Sequence, residues 1–421
     1  MSSFRQVLRN PQFISFWLGQ VISQFGDRIN QMALIALVYS RRGTAPIELA
    51  IVMAFTIVPS FLVSPLAGVL VDRWNRKHTM VAADIIRAVL VVSIPLFCMH
   101  GTSMVPIYVL VFLVFSTSCF FLPSKFSVIP ELVAPELLLI ANSLINTTMI
   151  IAVVLGVALG GTLIEQVGPK TGFYIDAMTY AVSALLIGII RIRAPQRQAV
   201  LRPPATGIRV AIRQVWREFI AGVQYMRQHP YVQFVFMTIY LLMAAAGALY
   251  IAGIVFIQSV FGSVTRDIGF LAVFIGAGFF LGALGYGRFG HRISRLRMLY
   301  LGMLLSGLVV GMFALVLAWY PYMGVAAGLA VVIGITVGPI FISGNTLILE
   351  AIPADMRGRV FSFLGIIMNL GFLVAMFLAS RLAEFYLPRQ VIIGAGLCMS
   401  GYGVVGLVHS AKACGEKTVP A

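Results

Sequence analysis

The sequence predicts an all-α polytopic membrane protein, with twelve transmembrane helices arranged as two six-helix halves in parallel repeat. Three observations carry that prediction. Hydrophobic residues make up 60% of the 421 residues and the mean hydropathy is +0.98, well outside the range of soluble folds. Apolar stretches of about twenty residues recur along nearly the whole chain, each long enough as a helix to cross a hydrocarbon core of roughly 30 Å. One offset, 219 positions, lays the second half of the chain on the first.

In chain order, residues 1–190 form the first bundle, with spans at 13–39, 47–71, 78–99, 104–123, 138–165 and 170–190. The start, "MSSFRQVLRNPQF", has no short apolar core followed by a small-residue cleavage site, so the first span is expected to be retained. Residues 191–229 are the longest polar break. Pro195, Pro203 and Pro204 mark a linker, and Ile208, Ile212, Val215, Phe219 and Val223 recur at helical spacing among basic residues. This second part reads as a basic amphipathic helix on the inner membrane face. Residues 230–421 form the second bundle, with spans at 231–260, 267–287, 298–318, 321–349, 360–385 and 390–411.

The net charge of +16 invites a nucleic-acid reading, but in a membrane chain the placement of basic residues sets topology. With the N-terminus inside, twenty-two of the thirty Lys and Arg fall in cytoplasmic segments, Lys125 among them, and five in external loops; Arg28, Arg87 and Arg381 fall within spans. Both termini are therefore expected in the cytoplasm, and no nucleic acid is implied. Cys98, Cys119, Cys398 and Cys414 form no CxxC pair and the five histidines are dispersed, so neither a disulfide framework nor a metal site is expected.

The offset of 219 aligns Pro11 with Pro230, Gly68 with Gly287, Arg73 with Arg292, Arg76 with Arg295, Glu136 with Asp355, Ser143 with Ser362, Glu165 with Glu384 and Pro169 with Pro388, without a gap. Six spans per copy keep each half in the same orientation. Two such halves about an axis along the membrane normal are a transporter architecture with a central site.

Between the second and third spans lies "GVLVDRWNRKHTM", dense in charge for so apolar a chain. Its Gly68, Leu70, Asp72, Arg73, Arg76 and Lys77 resemble the loop 2–3 signature of the major facilitator superfamily. Asn75 stands at the usual glycine, and asparagine also tolerates a left-handed turn. The copy "GRFGHRISR" has His291 in place of the acid. "MVAADIIRAV", "PELVAPELLLIANSLINTT" and "MRGRVFSFLGIIMNL" resemble the branch with macrolide-efflux and siderophore-export proteins; "FGDRINQ" and "FLPSKFSVIPEL" also resemble the bacterial lysophospholipid transporter. The resemblance implies that Asp72 meets the start of the eleventh helix near residues 356–358, latching the cytoplasmic side in the outward-open state. A carboxylate at a helix N-terminus gains about 0.3–1 kcal/mol. Gly68, Arg73, Arg76, Lys77 and Arg292 belong to the same gate, the basic residues near Glu131, Glu136, Glu350 or Asp355.

Ionisable groups inside a bilayer are costly and usually face a cavity or a partner. The first span holds Gln20, Gln24, Asp27 and Gln31 at spacings that stack them on one helical face, expected to line the central cavity. Asp27 is the first candidate for proton coupling, because a carboxyl withdrawn from water exchanges protons more readily. Arg28 beside it opposes that effect. Asp84 and Arg87, three apart, read as an internal ion pair extending the cytoplasmic gate; Glu350, beside Asn345, joins the gate, and Asp176 is read as structural. Gly156, Gly160 and Gly161 resemble the antiporter signature of the superfamily with Val157 in place of its proline, or are small residues for helix packing. Asn142, Asn146 and Asn369 are candidate substrate contacts.

No Walker loop, HExxH or credible GxSxG is present, which disfavours an enzyme. The sequence therefore points to a secondary active transporter in the inner membrane, without cofactor and expected as a monomer. Proton-coupled export of amphipathic or hydrophobic small molecules by alternating access comes first. Lysophospholipid movement across the membrane is the alternative, with Asp27 and Lys125 as its discriminating features, and a non-transporting receptor or assembly factor is a lesser one.

Overall fold

The computed structural model describes residues 2–71, 73–98, 103–191, 208–290, 293–352 and 357–415. The first short helix, α1 (Ser2–Arg9), precedes α2 (Pro11–Arg42), whose start is capped by the Asn10 side chain accepting from the backbone N–H of Gln12 and Phe13. The second predicted span is interrupted. α3 (Pro46–Leu62) stops and α4 (Ser64–Val71) begins one residue later, because Pro65 has no N–H to offer Phe61. α5 (Arg76–Ser93) runs into a π-helical turn at Ile94–Cys98, which contains Pro95. α6 (Val105–Leu132) continues through Pro123 and Pro130, as membrane helices do when neighbours satisfy the freed carbonyls. The predicted fourth span, ending at 123, was therefore too short, and Lys125 sits inside a helix instead of in a cytoplasmic segment. α7 (Leu138–Gly188) comprises the fifth and sixth spans, bent at Gly168, whose φ of 78° is accessible to glycine and which is followed by Pro169.

The polar break ends in α8 (Ile208–Gln228), followed by α9 (Pro230–Phe261), α10 (Arg266–Phe289), α11 (Arg295–Trp319), α12 (Met323–Ala351), α13 (Arg357–Phe385) and α14 (Pro388–Gly415). Among the described residues, nine helical stretches are long and apolar enough to cross a membrane, one of them carrying both arms of α7. The chain is a multi-pass membrane protein.

Two compact units form: Met1–Arg41 with Ile51–Val215, and Arg42–Ala50 with Trp216–Ala421. The core of the first unit gathers Phe13, Phe16, Met80, Val128 and Ile145. In the second, Val235, Phe236, Leu299, Met303, Ile340 and Phe363 pack together, and the end of α8 joins them through Val223 and Met226.

The duplication is visible element by element. α2 and α9, α5 and α11, α7 and α13 each begin 219 positions apart. Asn75 caps α5 by accepting from the N–H of His78, and Ser294 caps α11 by accepting from that of Arg297. Gly43 and Gly262, also 219 apart, both take positive φ, 64° and 73°.

Candidate functional site

In the first unit the polar stripe of α2 faces a cavity of about 340 Å³. Gln20, Gln24, Asp27 and Gln31 line it together with Ser23 and Arg28. α5 contributes Arg87, and α6 contributes Ser118 and Lys125. The remaining wall is apolar but for Thr56 of α3: Phe115, Phe121 and Leu122 of α6, Met149, Ala152 and Val153 of α7, Leu34 and Met53.

Glycines let α7 approach α2 closely enough to close this space. A Cβ at Gly156 would fall 2.8 Å from Arg28 Cγ, and one at Gly160 would fall 3.3 Å from Ile29 Cα. Gly161 is buried beside them. On the second arm of α7, Thr179 Oγ1 would be 1.9 Å from a Cβ at Gly26.

A polar network runs behind the cavity wall. The Tyr180 hydroxyl donates to Asp27 Oδ1. The buried Arg87 guanidinium pairs with the buried Asp84, reaches Ser118 Oγ at 3.5 Å, and lies over the rings of Phe121 (4.5 Å) and Tyr180 (4.3 Å). Asn30 donates to Asp176 Oδ2 at 2.6 Å, and Thr179 to Asp176 Oδ1 at 3.3 Å. Tyr180 joins Asp27 of α2 to Arg87 of α5, and Asn30 of α2 holds Asp176 of α7, so three helices share one polar network. Asp84 and Arg87 thus sit with the cavity stripe in the structure, and Asp176 joins the same network from behind. Sequence reasoning missed Tyr180, which is one helical turn beyond Asp176 on α7, a signal that was available.

The loop residues are placed elsewhere. Arg76 pairs with Glu131 and donates to Ser127 O at 3.2 Å, and Lys77 Nζ donates to Ile190 O at 2.7 Å. In the second unit Arg295 pairs with Glu350, and both members of this pair lie 219 positions beyond Arg76 and Glu131. Arg73 is exposed and Gly68 has no atom within 4 Å of where a Cβ would stand. Asp72 and Arg292 lie outside the described residues. Asn142 and Asn146 are not among the cavity-lining residues, and Asn369 turns its amide back to Gly365 O at 3.0 Å.

At the same offset, the charged network of the first unit has no charged counterpart. Asp27, Arg28, Asp84, Arg87, Lys125, Asp176 and Tyr180 correspond to Ala246, Gly247, Met303, Ser306, Gly344, Ala395 and Met399. The scaffold and the Arg76–Glu131 pair are duplicated, and the ionic chemistry of the cavity is not.

The family model described as the Major Facilitator Superfamily matches residues 16–376. The chain is 26% identical over 419 residues to the uncharacterized MFS-type transporter YfiS of Bacillus subtilis, covering 96% of this chain and 94% of that protein. It is 26% identical to the multidrug efflux pump Tap of Mycobacterium tuberculosis, over 84% of this chain and 82% of Tap. To macrolide efflux protein A of Streptococcus pyogenes it is 25% identical, with 89% of each covered. Among solved structures, a bacterial homologue of the iron transporter ferroportin in an inward-facing state superposes with a TM-score of 0.72 at 14% identity, covering 94% of this chain and 98% of the other.

Proposed function

Since the chain belongs to the Major Facilitator Superfamily, and so is a membrane transporter and not an enzyme, we propose that it exports amphipathic or hydrophobic small molecules in exchange for protons, by alternating access. The observation that carries this reading is the cavity of the first unit, in which a single lining carboxylate, Asp27, faces an apolar wall of Phe115, Phe121, Leu122 and Met149. An apolar wall binds a greasy body without demanding a fixed shape. A carboxylate open to the same space is within reach of both cargo and protons. The efflux pumps among its relatives support the outward direction.

The same reading places the chain in the inner membrane with both termini in the cytoplasm, where the basic loops belong. It makes α8 an interfacial helix, and Asp72 with Arg73 the latch of the cytoplasmic side.

The test is dye or drug transport in proteoliposomes under an imposed proton gradient, with Asp27→Asn beside the wild type. Gradient-driven transport is expected to stop in the variant while substrate exchange without a gradient persists. Proton-driven transport at the wild-type rate in Asp27→Asn would refute the coupling role.

A further inference from the structure

We propose that this cavity selects cargo bearing an acidic group, a carboxylate or phosphate on an apolar body, and that Lys125 with Arg28 holds that group. The inference rests on the preceding reading, that the cavity of the first unit is the cargo site.

Four charged side chains line the cavity: Asp27, Arg28, Arg87 and Lys125. Arg87 is committed to Asp84 and to its two aromatic neighbours. Arg28 gives one N–H to Gln31 Oε1 at 3.0 Å and has further donors in its fork. Lys125 is only 5% exposed, yet among the described residues no carboxylate lies within ion-pair distance of it. Asp27 lines the same cavity, and one of its oxygens already accepts from Tyr180. Arg28 and Lys125 thus share the cavity with one lining carboxylate.

An ammonium withdrawn from water and left without a counter-charge is among the least tolerable arrangements in an apolar interior. It is kept where something supplies the missing charge. Gln20 adds a second unmet demand: it is 2% exposed, lines the same cavity, and its Nε2 has no acceptor. A cargo carboxylate or phosphate would accept from Lys125, Arg28 and Gln20 together while its hydrocarbon part lies against Phe121, Leu122 and Val153. A neutral cargo leaves Lys125 unpaired, and a cationic one meets Arg28 and Lys125 with Asp27 alone to offset them.

The experiment uses full-length protein in nanodiscs with four probes of equal chain length: octanoate, octyl phosphate, octanol and octyltrimethylammonium. Binding is corrected for partition into empty discs. Wild type should bind octanoate or octyl phosphate at least 10-fold more tightly than the other two. Preference for the phosphate points to lipid-type headgroups, and preference for the carboxylate to acidic metabolites. Lys125→Met should bring all four probes to parity while melting no lower than wild type, and Lys125→Arg should keep the preference. Equal or tighter binding of the ammonium probe, a preference that survives Lys125→Met, or a lowered melting temperature in that variant would each overturn the proposal. Met149→Trp fills the cavity and separates the two readings. If it abolishes binding but no charge preference exists, the acid-selective site fails alone; if probes bind regardless of it, or none binds wild type, the cargo site fails as well.

Discussion

Tyr180 on α7 donates its hydroxyl proton to Asp27 on α2, 153 residues earlier in the chain, and its ring lies 4.3 Å from the Arg87 guanidinium. One side chain thus links the cavity-facing carboxylate to the buried ion pair of α5. Asp27, Tyr180 and Arg87 form one continuous chain of contacts from α2 through α7 to α5, the helix that follows the charged loop.

Tyr180→Phe keeps the ring over Arg87 and removes the hydrogen bond to Asp27. Losing a hydrogen bond to a charged group costs about 1.5–3 kcal/mol. The expected result is slower gradient-driven transport with retained expression and monodispersity. An unchanged rate would show that Asp27 acts independently of the tyrosine.

Asp84→Asn strands the Arg87 guanidinium in a buried site, where breaking one side of a buried pair costs roughly 3–5 kcal/mol. The double variant Asp84→Leu/Arg87→Met should recover much of the loss. Thermal unfolding in detergent, run as a double-mutant cycle, measures the coupling; additive losses would mean that the pair is not a unit.

Gly278→Ala and Gly68→Ala should behave oppositely. A Cβ at Gly278 would lie 2.0 Å from the carbonyl oxygen of Val331, so α10 and α12 must part, at about 1–3 kcal/mol. Gly68, within α4, has open space, and alanine there should leave the melting temperature unchanged or raise it. Transport lost by a stable Gly68→Ala would assign that glycine to the gate.

Arg76→Ala should cost more than Arg295→Ala, although the two arginines occupy equivalent positions. Glu131 is 14% exposed and Glu350 53%. The second pair is therefore worth at most a few tenths of a kcal/mol and the first about 1 kcal/mol. Chemical-denaturation midpoints of the two variants check the order.

Much of the scaffold was legible because membrane helices are long and apolar and because the duplication is ungapped: helix starts, caps and the two left-handed glycines recur at one spacing. The cavity stripe on α2 was legible because all four residues share a single helix face. What was not legible depended on contacts between helices. Lys125 lies beyond the apolar run that ends at 123 and so reads as a loop residue, and only packing reveals that α6 continues around it. Asp176 gave no hint of its partner, since Asn30 lies 146 residues away.

The confinement of the cavity's charged network to one copy makes the polypeptide its own reference. Asp27, Arg87, Lys125 and Tyr180 each have an uncharged twin at Ala246, Ser306, Gly344 and Met399. A perturbation installed in the first copy can be matched by its mirror in the second, within the same molecule, membrane and preparation, and the difference between the two isolates what ionisation adds to a helix bundle that is otherwise written twice.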